Sequence, residues 1–185
     1  YWNGWLYYGF ITFSIFLHEL GHLIAGVAYG YKMSDMGILL FGIIPVGAYV
    51  AHEDKKNATK GEKIQFSLAG VEMNFLIAGA CFLLVGKYYQ QSLTLLTAAV
   101  VNIVLALINL LPTSGLDGEA ALSAICGIKN ISKTVRKWLA NKKCRQKLFR
   151  QGLPGYICFG VFSIVLISKV VFWLITAWSI VSIIF

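Results

Sequence analysis

Apolar residues in this chain gather into four long stretches that polar residues scarcely interrupt. They run from Trp5 to Tyr29, from Ile64 to Gly86, from Ser92 to Leu111 and from Tyr156 to Phe185. Each suffices for the ~20 residues that a helix needs to cross a hydrocarbon core about 30 Å thick. The expected fold class is an all-α polytopic membrane protein with about four transmembrane helices. A fifth apolar tract, Met36 to Val50, differs because Gly37, Gly42, Pro45 and Gly47 break it. That punctuation suits short extended segments turning within the membrane, a membrane-embedded β segment, better than a spanning helix. Such backbone survives in lipid only where protein or water satisfies its polar groups. It would either pair with itself as a buried hairpin or offer an edge to an extended peptide. In the second case Gly47 and Ala48 are the positions expected to hold the added strand.

Composition agrees with the membrane reading: 58% of residues are hydrophobic and 13% charged, and the mean hydropathy is +0.72. The 185 residues are read as a single domain, with a core over 5–127, a basic cytoplasmic loop over 128–154 and a final span over 155–185. A net charge of +8 raises the question of nucleic acid. Its distribution argues against that partner. Nine of the sixteen Lys and Arg lie between Lys129 and Arg150, and four more between Lys55 and Lys63. Positive charge between apolar spans marks the cytoplasmic side. The loops at 53–63 and 112–154 are therefore expected there, with 87–91 and both termini on the other face. The 129–150 cluster is expected to be solvated and to face the lipid surface, a regulatory membrane partner being the alternative. Lys169 interrupts the last stretch and receives no role. Cys81, Cys126, Cys144 and Cys158 are far apart and suggest neither a disulfide framework nor a second metal site. The first stretch lacks a basic leader and is not read as a cleavable signal peptide.

The chemistry lies in the first stretch. Between Tyr1 and Gly30 the only Asp, Glu, Lys, Arg or His residues are His18, Glu19 and His22, in the order His-Glu-Leu-Gly-His. On a helix, residues four apart differ by about 40° around the axis and about 6 Å along it. Both imidazoles then leave one face and can share a metal, with Glu19 beside them to handle a proton. Ionisable groups within a membrane span are costly and by default functional. The plainer alternative is a hydrogen-bonded histidine pair. Zinc at a catalytic site takes a third protein ligand and leaves the fourth position to water. Asp117, just past Pro112, is the candidate. It also stands three residues after Ser114, the spacing of a helix capping box, and by itself either role is open.

Together the motifs resemble the site-2 protease family of intramembrane zinc metalloproteases. That family carries His-Glu-x-x-His in one transmembrane helix and Asn-x-x-Pro-x-x-x-x-Asp-Gly beside another, matched here by His18–His22 and Asn109–Gly118. Phe41–Val50 resembles its membrane-embedded β segment. Gly70-Val71-Glu72-Met73-Asn74 is similar to its Gly-Pro-x-x-Asn motif, with Val71 in place of proline and Glu72 an added charge. The resemblance covers roughly Trp5 to Gly127. It implies one Zn2+ per chain on His18, His22 and Asp117, with Glu19 as general base. It further implies that Asn109, and with it Asn74, contacts substrate backbone near the scissile bond. The implied protein is a compact form without PDZ or CBS domains, multi-pass in a bacterial plasma membrane, with its active site reached from the cytoplasm. Its partners would be the bilayer and a membrane-anchored protein or peptide substrate, cleaved in regulated intramembrane proteolysis or signalling-peptide maturation. Two rivals stand beside it: a catalytically silent zinc-binding relative acting as a membrane-helix chaperone or adaptor, and a zinc or small-solute transporter.

Overall fold

The computed structural model describes residues 4–140 except 54, 56, 88–91, 114 and 130, and thereafter residues 152, 153, 155–157, 159–161, 163, 164 and 167. The chain divides into two compact units, Tyr1–Leu110 and Leu111–Phe185.

The first unit runs α1 (Gly4–Ala28), β1 (Lys32–Phe41), β2 (Ile44–Glu53), α2 (Lys60–Val85) and α3 (Ser92–Asn109). Helix α1 ends where Gly30 adopts φ +69°. The Tyr31 amide then donates to the Gly26 carbonyl (2.8 Å) and the Gly30 amide to that of Val27 (3.1 Å), a Schellman termination. Helix α2 opens with a capping box: the Glu62 amide donates to Thr59 Oγ1 (3.2 Å) and the Thr59 amide to Glu62 Oε2 (2.7 Å). Lys55 Nζ donates to the Tyr29 carbonyl (2.7 Å) and to Glu62 Oε1 (3.1 Å), tying the end of α1 to the start of α2. The sequence places this helix from Ile64, because the charged residues 60–63 look like loop; they form its capped first turn. Helix α3 stops short of Pro112, as expected of a residue that cannot continue a helix.

Among the described residues, α1 and α2 are long and apolar enough to cross a membrane, and α3 is a shorter apolar helix. Four such helices are thus not found among them. The fourth apolar stretch, including Lys169, lies mainly outside the described residues.

The broken apolar tract is a two-stranded antiparallel hairpin, paired from Lys32↔Glu53 to Phe41↔Ile44. Gly42 supplies the turn with φ +64°, a conformation that costs glycine little. The register shifts between Met33 and Asp35 and again between Leu39 and Leu40. The strands extend past the apolar tract because polar pairs close their open end: Lys32 Nζ with Glu53 Oε1 at 2.9 Å, and the Tyr49 hydroxyl donating to Asp35 Oδ2 at 2.9 Å. The strands pair with each other, and Ile38, Leu40, Phe41 and Ile43 are exposed on the hairpin. The Tyr8 hydroxyl donates to the Pro45 carbonyl and moors it to α1.

The interior of this unit is small and polar. Ala69, Ala78, Ala99 and Ala106 are buried with Ser14, Asn74, Thr97 and Asn102, while Phe13, Leu76, Leu83, Val100 and Leu107 face outward. Water drives the reverse arrangement. Small residues at the contacts and interhelical hydrogen bonds characterise helices packed in lipid. Asn102 Nδ2 donates to Ser14 Oγ at 3.0 Å, joining α3 to α1. Gly21 lets α1 meet α2; a Cβ there would lie 2.6 Å from the Ala69 carbonyl oxygen.

The second unit contains α4 (Asp117–Cys126) and α5 (Ile131–Ala140). The basic tract expected as loop therefore contains a helix. Ile131, Val135 and Trp138, spaced along one face, are buried against Leu122, Cys126, Ile128 and Phe159, while Lys133, Arg136 and Lys137 are exposed. Glu119 Oε1 accepts from the Ser132 amide (2.9 Å) and joins the two helices. Cys126 is disulfide-bonded, whereas the spacing of the cysteines suggested no disulfide framework.

Candidate metal centre

One helical turn separates His18 from His22 on α1, and their rings meet edge to face with centroids 5.0 Å apart. Both are buried, at 5% and 8% exposure, so their nitrogens require partners. His22 Nδ1 lies 2.9 Å from the Phe66 carbonyl oxygen on α2. A carbonyl only accepts, so Nδ1 carries the proton and Nε2 keeps its lone pair, the tautomer that binds a metal through Nε2. Phe66 is held in turn by stacking on Tyr31, with centroids 4.6 Å apart. His18 Nδ1 faces the carboxamide of Asn74 at 3.2 Å.

The two Nε2 atoms converge beside Gly70. A Cβ at that position would lie within 2.5 Å of each of them, so only glycine leaves the space between the rings open. That niche, bordered by two imidazole nitrogens, is a fit for a borderline-soft cation.

Asp117, the third ligand that the motif resemblance implies, opens α4 as its first helical residue. The capping alternative for Asp117 is not met: Leu116 occupies the N-cap position without a side-chain cap bond, and Asp117 is the first helical residue rather than the third. Glu119 is the acid that reaches back, accepting from the Gly115 amide at 3.3 Å. Two imidazoles on one helical face supply two of the three protein ligands that a catalytic zinc site takes.

The other expected residues lie as follows. Glu19 follows His18 and is half-buried. Gly47 and Ala48 lie on β2 opposite Leu39 and Ile38. They line an apolar cavity of about 340 Å³ together with Tyr8, Thr12, Phe16 and Pro45. On α1 the positions 8, 12, 16 and 19 share one face, so the cavity runs along the side of the helix that carries Glu19. Asn109 ends α3, half-buried, its Nδ2 donating back to the Leu105 carbonyl at 3.1 Å. Asn74 is fully buried, with its amide turned to His18. Sequence reasoning missed Phe66, and no signal could have revealed it, because a backbone carbonyl serves with any side chain. It also quoted Gly70 without its reason.

A model of peptidase family M50 matches residues 7–93. That range includes α1, the hairpin and α2, and so His18, Glu19, His22, Gly70 and Asn74. Over 120 residues the chain is 32% identical to a zinc metalloprotease of Methanocaldococcus jannaschii, an alignment covering 63% of this chain and 33% of that protein. The chain thus spans about a third of the length of this relative. Taken with the histidine pair and its glycine niche, these matches make the chain similar to peptidase family M50 over the segment that carries α1, the hairpin and α2.

Proposed function

We propose that this chain is a zinc-dependent intramembrane endopeptidase. It hydrolyses peptide bonds within or near the transmembrane segment of a membrane-anchored protein or peptide, in a site reached from the cytoplasmic side of a multi-pass protein. The observation that carries this reading is the convergence of the His18 and His22 Nε2 atoms beside Gly70, on a helix otherwise apolar enough to cross a membrane, with Asp117 proposed as the third ligand from its motif. The match to the model of peptidase family M50 and the likeness to a zinc metalloprotease support it.

When bound there, zinc supplies Lewis acidity, which acidifies water and polarises the scissile carbonyl. The protein groups do the rest. Glu19, adjacent to the first ligand, accepts the proton of the attacking water and returns it to the leaving amine. Asn109 donates an amide hydrogen to the oxygen on which charge develops. A helical substrate must unwind first, since its carbonyls are tied up in its own hydrogen bonds. The hairpin edge at Gly47 and Ala48 receives the unwound strand by strand addition. The apolar cavity beside it takes a side chain of that strand.

Glu19→Gln tests the reading with a membrane-anchored reporter reconstituted in liposomes. Cleavage should fall by about 10²–10⁴-fold, the usual contribution of a general base, while zinc stays bound. Unchanged cleavage would remove Glu19 from the mechanism. Wild-type protein that binds zinc and cleaves no membrane-anchored substrate would turn the reading to a silent adaptor.

A further inference from the structure

We infer that Asn74 is a positioning residue that accepts from His18 Nδ1–H and holds the orientation of that ring, rather than a contact for substrate backbone. This rests on the metal-centre reading above.

Asn74 has no exposed surface, so a substrate strand has no face of it to touch. Its amide reaches one described partner on another helix, His18 Nδ1. As placed, Nδ2 faces that nitrogen and Oδ1 is buried without a hydrogen-bond partner. The two ends of a carboxamide are told apart by their hydrogen bonds, not by shape. No bond to Oδ1 holds the amide in this sense, so the proton on His18 decides which end faces the ring.

The Gly70 niche decides the proton. If Asn74 Nδ2 donated to His18 Nδ1, the ring proton would sit on Nε2, aimed at the space where the His22 lone pair also converges. A donor in that space opposes any cation. With Oδ1 toward the ring, His18 Nδ1–H donates to Asn74 and Nε2 presents its lone pair. The two histidines are then set alike, each by an oxygen acceptor from α2: a backbone carbonyl at Phe66 for His22 and a side-chain carbonyl at Asn74 for His18. Gly70 and Asn74 stand one helical turn apart on α2. One opens the niche and the other aims a ligand into it.

The measurement is zinc affinity of the detergent-purified full chain, by competition with a chromogenic chelator, across Asn74→Ala, Asn74→Asp and His18→Ala. Asn74→Ala should weaken zinc by about 10–100-fold, as loss of a ligand's hydrogen-bond partner does. Asn74→Asp keeps an acceptor and should stay within about threefold of the wild type, a rescue that damaged packing would not allow. Equal loss in both variants would overturn the inference in favour of a packing role. Unchanged zinc affinity in Asn74→Ala with a raised KM would overturn it in favour of substrate contact. His18→Ala isolates the underlying reading: if zinc affinity survives that change, the metal centre itself is wrong and the inference falls with it.

Discussion

Gly70 shows how a single missing carbon can decide a site. Its neighbours are the two Nε2 atoms that must share an ion, and a methyl group there would lie within 2.5 Å of each. Gly70→Ala should therefore push the rings apart and weaken zinc by at least about tenfold, comparable to loss of a ligand's support. Gly79 on the same helix is the control, because nothing lies within 4 Å of a Cβ there. Gly79→Ala should leave zinc untouched and raise helix stability by up to about 1 kcal/mol. Chelator competition and thermal melts on both variants check the pair; a Gly70→Ala protein with wild-type affinity would place the ion elsewhere. Much of this site was legible in the residues. His-Glu-x-x-His fixes the relative position of two ligands and a base because helical geometry does so. What surrounds them was not legible, since Phe66 acts through a carbonyl and Asn74 through a partner 56 positions away.

At the scale of elements, the hairpin was visible as a broken apolar tract but not in its length. Its glycines and proline ruled out a helix. Its outer residues, Lys32 to Asp35 and Ala51 to Glu53, lacked the apolar signal and are paired by polar contacts instead. Helix α5 was hidden for the opposite reason: three apolar positions are scattered among the basic residues that dominate the tract. Gly47 connects the hairpin to function, being both the ladder partner of Leu39 and part of the cavity wall. Proline at 47 removes an amide hydrogen from the strand and stiffens its backbone. Gly47→Pro should reduce reporter cleavage while zinc content stays at the wild-type level, since the histidines and Gly70 lie on other elements. Cleavage at the wild-type rate would leave the hairpin without a part in holding substrate.

At the scale of the whole molecule, the two units bury different kinds of residue. In the first unit the largest fully buried side chains are Asn74 and Asn102, whereas Phe13, Leu76 and Leu83 point outward. In the second unit Ile131 and Val135 are fully buried beneath exposed lysines and an arginine. The first pattern suits helices packed in lipid, and the second is the pattern of an amphipathic helix with one polar face. By the bias of Lys and Arg toward the cytoplasmic face, the basic loops are expected on that side. If α2 crosses the membrane, its ends lie in different compartments. Lys60 at its start is in the basic loop and Lys87 just past its end is in the short opposite one. Single cysteines at these positions, in a background whose native cysteines are replaced, separate the outcomes in intact cells. A membrane-impermeant maleimide should label Lys87→Cys and spare Lys60→Cys until the membrane is opened by detergent. Equal labelling of both in intact cells would deny that α2 spans the bilayer. Labelling of Lys60→Cys alone would invert the orientation and put the entrance to the metal site on the outer face.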